Sequence, residues 1–129
     1  MRGHQSDGLH LAGTFADVAA ARRYAAACCA QWSLTGSTDA VTLVVSELVT
    51  NAARHTAGPI HLRLTPSTEG VLIEVDDPAP HHPGDPPLQA PSAPLAETGR
   101  GLALVDAVAR AWGVTDIPGG KRIWAAIRA

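Results

Sequence analysis

The positions of the prolines constrain the fold of this 129-residue chain more than any other feature. Seven of the ten prolines lie within residues 78–98, a stretch that contains almost no periodic apolar residues. Proline lacks a backbone donor and has a fixed φ, so neither a helix nor a central strand can run through such a segment. A long structureless connection inside a compact domain is usually a lid, a binding loop or a disordered segment. We therefore expect regular structure on either side of residues 78–98.

Helical patterns dominate the sequence before this proline-rich segment. A short strand is predicted within residues 9–15, and the alanine-rich residues 17–31, which contain neither glycine nor proline, favour a helix. A second helix is predicted at residues 39–56, with Ser37 or Thr38 as its cap. The apolar stripe of this second helix comprises Val41, Val44, Val45, Leu48 and Ala52.

Alternating patterns predict two pairs of strands. Residues 60–65 and 70–77 alternate between apolar and polar positions across a short turn, which indicates an antiparallel hairpin. A third helix is predicted at residues 100–111, followed by a closing strand pair at 112–117 and 121–128. About three helices packed on one face of a mainly antiparallel sheet form a two-layer α/β sandwich, an α+β arrangement.

Composition and charge narrow the class of protein. The length suits one domain, which we expect to span residues 9–128 behind a flexible N-terminus at 1–8. Neither a signal peptide nor an apolar run long enough to span a membrane is present, so a cytoplasmic protein without membrane contact is expected. The net charge of −2 and the lack of a basic run argue against direct nucleic-acid binding. The adjacent Cys28 and Cys29 are expected to be small apolar residues of a helix.

Three polar residues recur at intervals of four along the second predicted helix. Glu47, Asn51 and His55 therefore share one face of that helix. The amide oxygen of an asparagine can ligate Mg²⁺, which prefers oxygen ligands, and a glutamate one turn earlier can orient or deprotonate a nucleophile. The same pattern also fits an ordinary solvated helix face.

An aspartate ends the strand predicted at residues 70–77. Asp77 has the same parity as the apolar side chains of that strand, and a carboxylate on an apolar face is costly unless it has a partner. The exocyclic amine of adenine is one suitable partner, whereas the alternative is a turn aspartate before Pro78. Asp76 is the neighbouring candidate, but strand parity favours Asp77.

Two glycines precede the third predicted helix in the sequence Gly99-Arg100-Gly101-Leu102. Glycine allows backbone N–H groups to approach a phosphate closely, and a helix N-terminus carries a partial positive charge. Arg100 adds a full charge beside it. Ordinary loops also contain such glycine pairs, so this feature alone is weak evidence for a phosphate site.

Together and in this order, the three segments resemble the histidine kinase-like ATPase superfamily. The sequence ELVTNAARH is similar to the N box of that superfamily, VDDPAP to a degenerate G1 box, and ETGRGLALV to the G2 box. Small stand-alone members with this pattern resemble anti-sigma-factor serine/threonine kinases. The resemblance covers about residues 15–128 and implies a Bergerat-type ATP-binding fold that uses ATP and Mg²⁺.

The resemblance implies a role for each matching position. Glu47 would be the catalytic base, Asn51 would hold Mg²⁺, and residues 78–98 would form the ATP lid. Lys121 is expected to have a structural role. The residues that would contact the nucleotide are Asn51, His55, Asp77, Ala79, Thr98, Gly99, Arg100, Gly101 and Leu102.

One departure from the family pattern lies in the G1 box. The usual Asp-x-Gly is replaced by Asp77-Pro78-Ala79, in which proline removes a donor and alanine resists positive φ. The turn under the adenine is therefore expected to differ, and the affinity for ATP to be weak.

The resemblance also implies protein partners. The expected function is a kinase that binds a sigma factor and phosphorylates an antagonist protein. A homodimer is a possible arrangement. The alternative is a nucleotide-gated protein-binding module without catalysis, which the altered G1 turn favours. The presence of both Glu47 and Asn51 favours the kinase, because a pure adaptor needs no base.

Overall fold

The structure is a computed structural model that describes residues 8–55, 58–79 and 99–128, with only the backbone of 99–101. The described chain forms three α-helices, five strands and a short 3-10 helix. In chain order they are β1 (Leu9–Leu11), α1 (Asp17–Gln31), the 3-10 helix (Thr35–Ser37), α2 (Thr38–His55), β2 (Ile60–Ser67), β3 (Gly70–Asp77), α3 (Gly99–Val108), β4 (Ala111–Ile117) and β5 (Gly120–Arg128).

The five strands form one sheet in the order β1-β2-β3-β5-β4, and every neighbouring pair is antiparallel. β3 is the central strand, with β2 on one side and β5 on the other. The register of β3 and β5 places Asp77 opposite Lys121 at one end of the pair and Gly70 opposite Arg128 at the other. The last residue of β3 therefore lies beside the start of β5.

The core lies between one face of the sheet and the helices. Side chains alternate along β3, so that Val71, Ile73, Val75 and Asp77 are buried. The whole predicted stripe of α2 is also buried, and each large aliphatic side chain removed from water contributes roughly 1.5–3 kcal/mol. α2 contacts both other helices as well as β2, β3 and β5, which makes it the central element of the helical layer. The predicted two-layer α/β sandwich is confirmed.

The opposite face of the sheet carries a network of ion pairs. Arg122 makes a two-point contact with Asp76, through Nε to Oδ1 at 2.7 Å and Nη2 to Oδ2 at 2.9 Å. Glu74 lies 3.6 Å from both Arg122 and Arg63. The hydrogen bond to Asp76 raises the pKa of the Arg122 guanidinium. Charged residues of β2, β3 and β5 therefore occupy the face that the helices leave open.

Two of the predicted boundaries differ from the structure by more than the others, each for a local reason. β1 ends at Leu11 rather than near residue 15, because the Asp17 carboxylate accepts the N–H groups of Gly13 (2.8 Å) and Thr14 (2.9 Å) and turns the chain into α1. α3 ends at Val108 rather than 111, because the Arg110 N–H donates to the Ala126 carbonyl at 2.8 Å and joins the chain to β5.

Two of the predicted segments lie mostly outside the described residues. The flexible N-terminus was expected at residues 1–8, of which Gly8 alone is described, and the lid at 78–98, of which only Pro78 and Ala79 are described. Cys28 and Cys29 are free, buried thiols of α1, as predicted. Among the described helices, none is long and apolar enough to cross a membrane.

Candidate functional site

Very few polar side chains are buried in the described part of the chain, and two of them were predicted as site residues. Asn51 and Asp77 are 5% and 4% exposed. A third, Lys121 at 6% exposure, is the residue that faces Asp77 across the β3–β5 pair. Burial of polar or ionisable side chains is unfavourable unless they are paired. Buried groups of this kind are therefore candidates for a functional site.

Asp77 and Lys121 form a buried ion pair at the end of the central strands. The Lys121 Nζ donates to Asp77 Oδ1 at 3.0 Å, and the side chains are 7% and 0% exposed. The same Oδ1 accepts the Ala79 backbone N–H at 2.8 Å, while Lys121 also lies 3.5 Å from the Ala79 carbonyl oxygen. One carboxylate oxygen therefore carries both contacts.

The second oxygen of the Asp77 carboxylate, Oδ2, is buried. Within the described residues, Oδ2 has no hydrogen-bond donor although almost no solvent reaches it. An unsatisfied buried acceptor costs about 1–3 kcal/mol, and more when it is charged. A ligand that offers an N–H donor at this position would remove the cost, and the 6-amino group of adenine is such a donor. The residues present therefore fit the adenine end of ATP.

The turn after Asp77 replaces the expected glycine with Ala79 and still closes. The Ala79 N–H bonds to the side chain two residues earlier, an Asx-type turn. Ser33 is the one non-glycine residue of the described chain with positive φ, so Ala79 does not adopt the conformation that alanine resists. The structure thus gives a physical route by which Asp77-Pro78-Ala79 forms without the usual glycine.

Gly120 allows β5 to pass close to this turn. A methyl group added at Gly120 would overlap the carbonyl oxygen of Asp77 and lie 2.8 Å from the Cα of Pro78. Gly119, the residue before it, has a φ of 84° and completes the turn between β4 and β5. The two glycines therefore bring Lys121 into contact with Asp77.

The three polar residues of α2 differ in their exposure. Asn51 is buried, Glu47 is half-buried and His55, on the last turn of the helix, is exposed. The helix packs against α3 and the sheet, which places the Asn51 side chain inside the structure rather than on a solvated face. The ordinary solvated helix face considered from the sequence therefore does not describe Asn51.

The glycine pair lies at the start of α3, where a phosphate-binding backbone is expected. α3 begins at Gly99, and Leu102 anchors its first turn in the core at 6% exposure. Gly99 and Gly101 therefore lie in the first turn of α3, where the backbone N–H groups have no partner within the helix and carry a partial positive charge. The side chain of Arg100 and the surroundings of Gly101 lie outside the described part, as does Thr98.

Lys121 was expected to have a structural role, and it forms an ion pair within the candidate site. The structure places its ammonium against the carboxylate of Asp77, the residue predicted to bind adenine. Strand parity was the available signal, because Lys121 shares its face of β5 with the buried Ile123, Ala125 and Ile127. An inward-facing lysine requires an inward-facing anion, and Asp77 is opposite to it in register.

The fold and the buried strand-end carboxylate define the class: an α/β sandwich with a candidate nucleotide site at one end of its sheet. The family model of the histidine kinase-like ATPase domain matches residues 11–127 of the sequence. The chain therefore belongs to that family. This membership implies that the chain binds ATP. A comparison with curated proteins found no match.

Proposed function

We propose that the chain is a cytoplasmic Mg-ATP-binding regulatory protein, an anti-sigma-factor-type serine/threonine kinase that phosphorylates an antagonist protein. The observation that carries the nucleotide site is the buried Asp77 Oδ2, which lacks a donor among the described residues. The family supplies the expectation of ATP, and this acceptor supplies a reason for adenine in particular.

The kinase proposal depends on three groups around the phosphates. Phosphoryl transfer needs positioning and charge neutralisation, which the backbone at Gly99 and Gly101 and the guanidinium of Arg100 would supply. Glu47, half-buried on α2, would accept the hydroxyl proton of the receptor serine. The serine oxygen would attack the γ-phosphorus of ATP, and ADP would leave. His55, one turn beyond Asn51 and exposed, would line the outer edge of this site.

Mg²⁺ fits this site with few protein ligands. Mg²⁺ usually keeps several waters and binds substrate phosphates together with one or two side-chain oxygens. Asn51, buried on α2, would hold the ion through its amide oxygen together with the nucleotide. When bound, Mg²⁺ neutralises phosphate charge.

The protein partners of this proposal are a sigma factor and an antagonist that carries the receptor serine. Helix α1 offers a candidate surface, because Arg22 and Arg23 are exposed while Ala21 and Ala25 pack into the core. A homodimer is a further arrangement to test by sedimentation.

The alternative proposal is a nucleotide-gated binding module without catalysis. The departure at Asp77-Pro78-Ala79 favours it, since one oxygen of Asp77 is already engaged by Lys121 and the Ala79 N–H. Phosphate transfer separates the two proposals. In a kinase, Glu47→Gln abolishes transfer from labelled ATP to the antagonist protein but leaves ATP binding intact, whereas Glu69→Gln, on the exposed β2–β3 turn, changes neither. ATP binding without transfer to any antagonist tested leaves the binding module.

Calorimetric titration tests the nucleotide site directly. ATP with Mg²⁺ is expected to bind, GTP to bind far more weakly, and Asp77→Asn to lower the affinity for ATP. A hydrogen bond to a charged group contributes roughly 1.5–3 kcal/mol, which corresponds to about 10- to 150-fold in affinity. The matched control is Asp76→Asn, because Asp76 is the adjacent carboxylate but points to the opposite face of the sheet, toward Arg122. Equal loss in both variants, or no ATP binding at millimolar concentration, contradicts the site.

A further inference from the structure

Lys121 places a positively charged hydrogen-bond donor beside Asp77 Oδ2, the acceptor proposed to bind adenine. Its ammonium has three N–H groups, and within the described residues their contacts are the 3.0 Å bond to Asp77 Oδ1 and the 3.5 Å contact with the Ala79 carbonyl oxygen. The side chain is 93% buried, with an exposure of 7%. Donor capacity therefore remains next to Oδ2, which has no partner in the part of the chain that the structure describes.

An adjacent acceptor and donor match one edge of a purine. Adenine presents its 6-amino donor next to the N1 acceptor, whereas guanine presents the O6 acceptor next to the N1–H donor. A carboxylate by itself reads only the first of the two positions. The Asp77–Lys121 pair can read both, because it offers an acceptor oxygen and an ammonium donor at neighbouring points.

We propose that Lys121 is a specificity-determining residue of the ATP site: its ammonium donates to N1 of adenine while Asp77 Oδ2 accepts from the 6-amino group. The inference rests on the proposed ATP site and adds a second point of recognition to it. A guanine in the same orientation directs O6 at the carboxylate and N1–H at the ammonium. Both contacts are then unfavourable, which makes the pair selective by repulsion as well as attraction.

A purely structural lysine makes a different prediction. If Lys121 only holds the Asp77 carboxylate in place, then its removal weakens every nucleotide that carries the 6-amino group by the same factor. A lysine that contacts N1 instead distinguishes nucleotides that differ at N1 alone. The measurement therefore has to change the ligand and the protein together.

The experiment compares ATP with 1-deaza-ATP, in which N1 is replaced by a C–H group and the 6-amino group is retained. Affinities are measured by calorimetry with Mg²⁺ for the wild-type chain, Lys121→Met and the control Arg122→Met. The wild-type chain should bind ATP about 10- to 150-fold more tightly than 1-deaza-ATP, the effect of one charge-assisted hydrogen bond. Lys121→Met should bring this ratio close to one, and Arg122→Met, on the opposite face, should leave it unchanged.

A second variant covers the case in which Lys121→Met fails to fold. Lys121→Gln keeps a neutral N–H donor in place of the ammonium, and the ratio should fall to about 2- to 13-fold, as expected for a neutral hydrogen bond to N1. Circular dichroism establishes that each variant is folded before titration.

The outcomes separate this inference from the proposed function. If the wild-type chain binds neither nucleotide, the ATP site itself is wrong and the inference falls with it. If it binds both equally, the ATP site stands and the role of Lys121 is refuted. If the folded Lys121 variants keep the full wild-type ratio, another group contacts N1 and the inference is again overturned.

Discussion

Removal of the Lys121 ammonium should destabilise the protein strongly even without nucleotide. In Lys121→Met the aliphatic part of the side chain is largely retained, but Asp77 loses the 3.0 Å ion pair. The Asp77 side chain is 0% exposed, so water cannot replace the lost partner. The only contact left to the carboxylate within the described residues is the Ala79 N–H at 2.8 Å.

The expected loss is large for a domain of this size. Breaking a buried ion pair by removing one partner costs about 3–5 kcal/mol, because an uncompensated charge stays buried. The total free energy of unfolding for a single domain is typically about 5–15 kcal/mol. Lys121→Met should therefore lose about a fifth or more of the stability, which corresponds to a fall in Tm of about 10 to 20 °C.

The neighbouring arginine provides the matched control. Arg122 also bonds to an aspartate of β3, at 2.7 and 2.9 Å, but these side chains lie on the open face and are 30% and 20% exposed. Partly exposed ion pairs contribute about 1 kcal/mol or less, since water solvates the charge that remains. Arg122→Met should thus cost much less than Lys121→Met, although the two positions are adjacent in one strand.

The assay is urea unfolding followed by circular dichroism at neutral pH without nucleotide, because a ligand would raise the apparent stability of the folded state. The double variant Asp77→Asn/Lys121→Met removes both charges and should recover much of the loss. The reasoning would be refuted by equal losses in Lys121→Met and Arg122→Met, or by a double variant no more stable than Lys121→Met.

Three further predictions concern other parts of the fold. Gly120→Ala should lower the free energy of unfolding in urea by about 1–3 kcal/mol, because the added methyl overlaps the carbonyl oxygen at the end of β3. The control Gly36→Ala meets no atom within 4 Å and should be neutral or slightly stabilising. Equal effects of the two substitutions would contradict this prediction. The N–H groups of Thr14 and Gly13 hold the pKa of the Asp17 carboxyl below its usual value, so its contribution to stability is present above that value and is lost as the pH falls through the lowered pKa. The difference in Tm between the wild type and Asp17→Asn should therefore shrink from pH 7 toward pH 3, and a difference that grows would oppose the assignment. Burial raises the pKa of both adjacent thiols of α1, so they should react with a thiol reagent at pH 8 only after unfolding, and rapid labelling of the folded protein would disprove their burial.

Much of the fold was accessible from local patterns in the sequence. The helix predicted at residues 17–31 is α1, and the strand predicted at 70–77 is β3, with the same bounds. Boundaries failed where a single long-range or capping bond decided them. The Arg110 N–H joins the chain to the Ala126 carbonyl and ends α3 early, and no periodicity in the sequence encodes such a bond.

The candidate site likewise contains residues that the sequence predicts and contacts that only the structure shows. The burial of Asp77 could be predicted, because a strand parity of two assigns it to the apolar face of β3. The helical interval of four placed Asn51 on a polar face with Glu47 and His55, and only the structure shows that Asn51 is buried. The contact of Asp77 with Lys121 joins residues 44 positions apart and depends on the register of β3 with β5 and on the close approach at Gly120. By itself the sequence determined which faces are buried, because periodicity is a local property. Only the tertiary structure decided that one oxygen of Asp77 contacts an ammonium while the other has no donor among the described residues, because the strand register sets which groups meet.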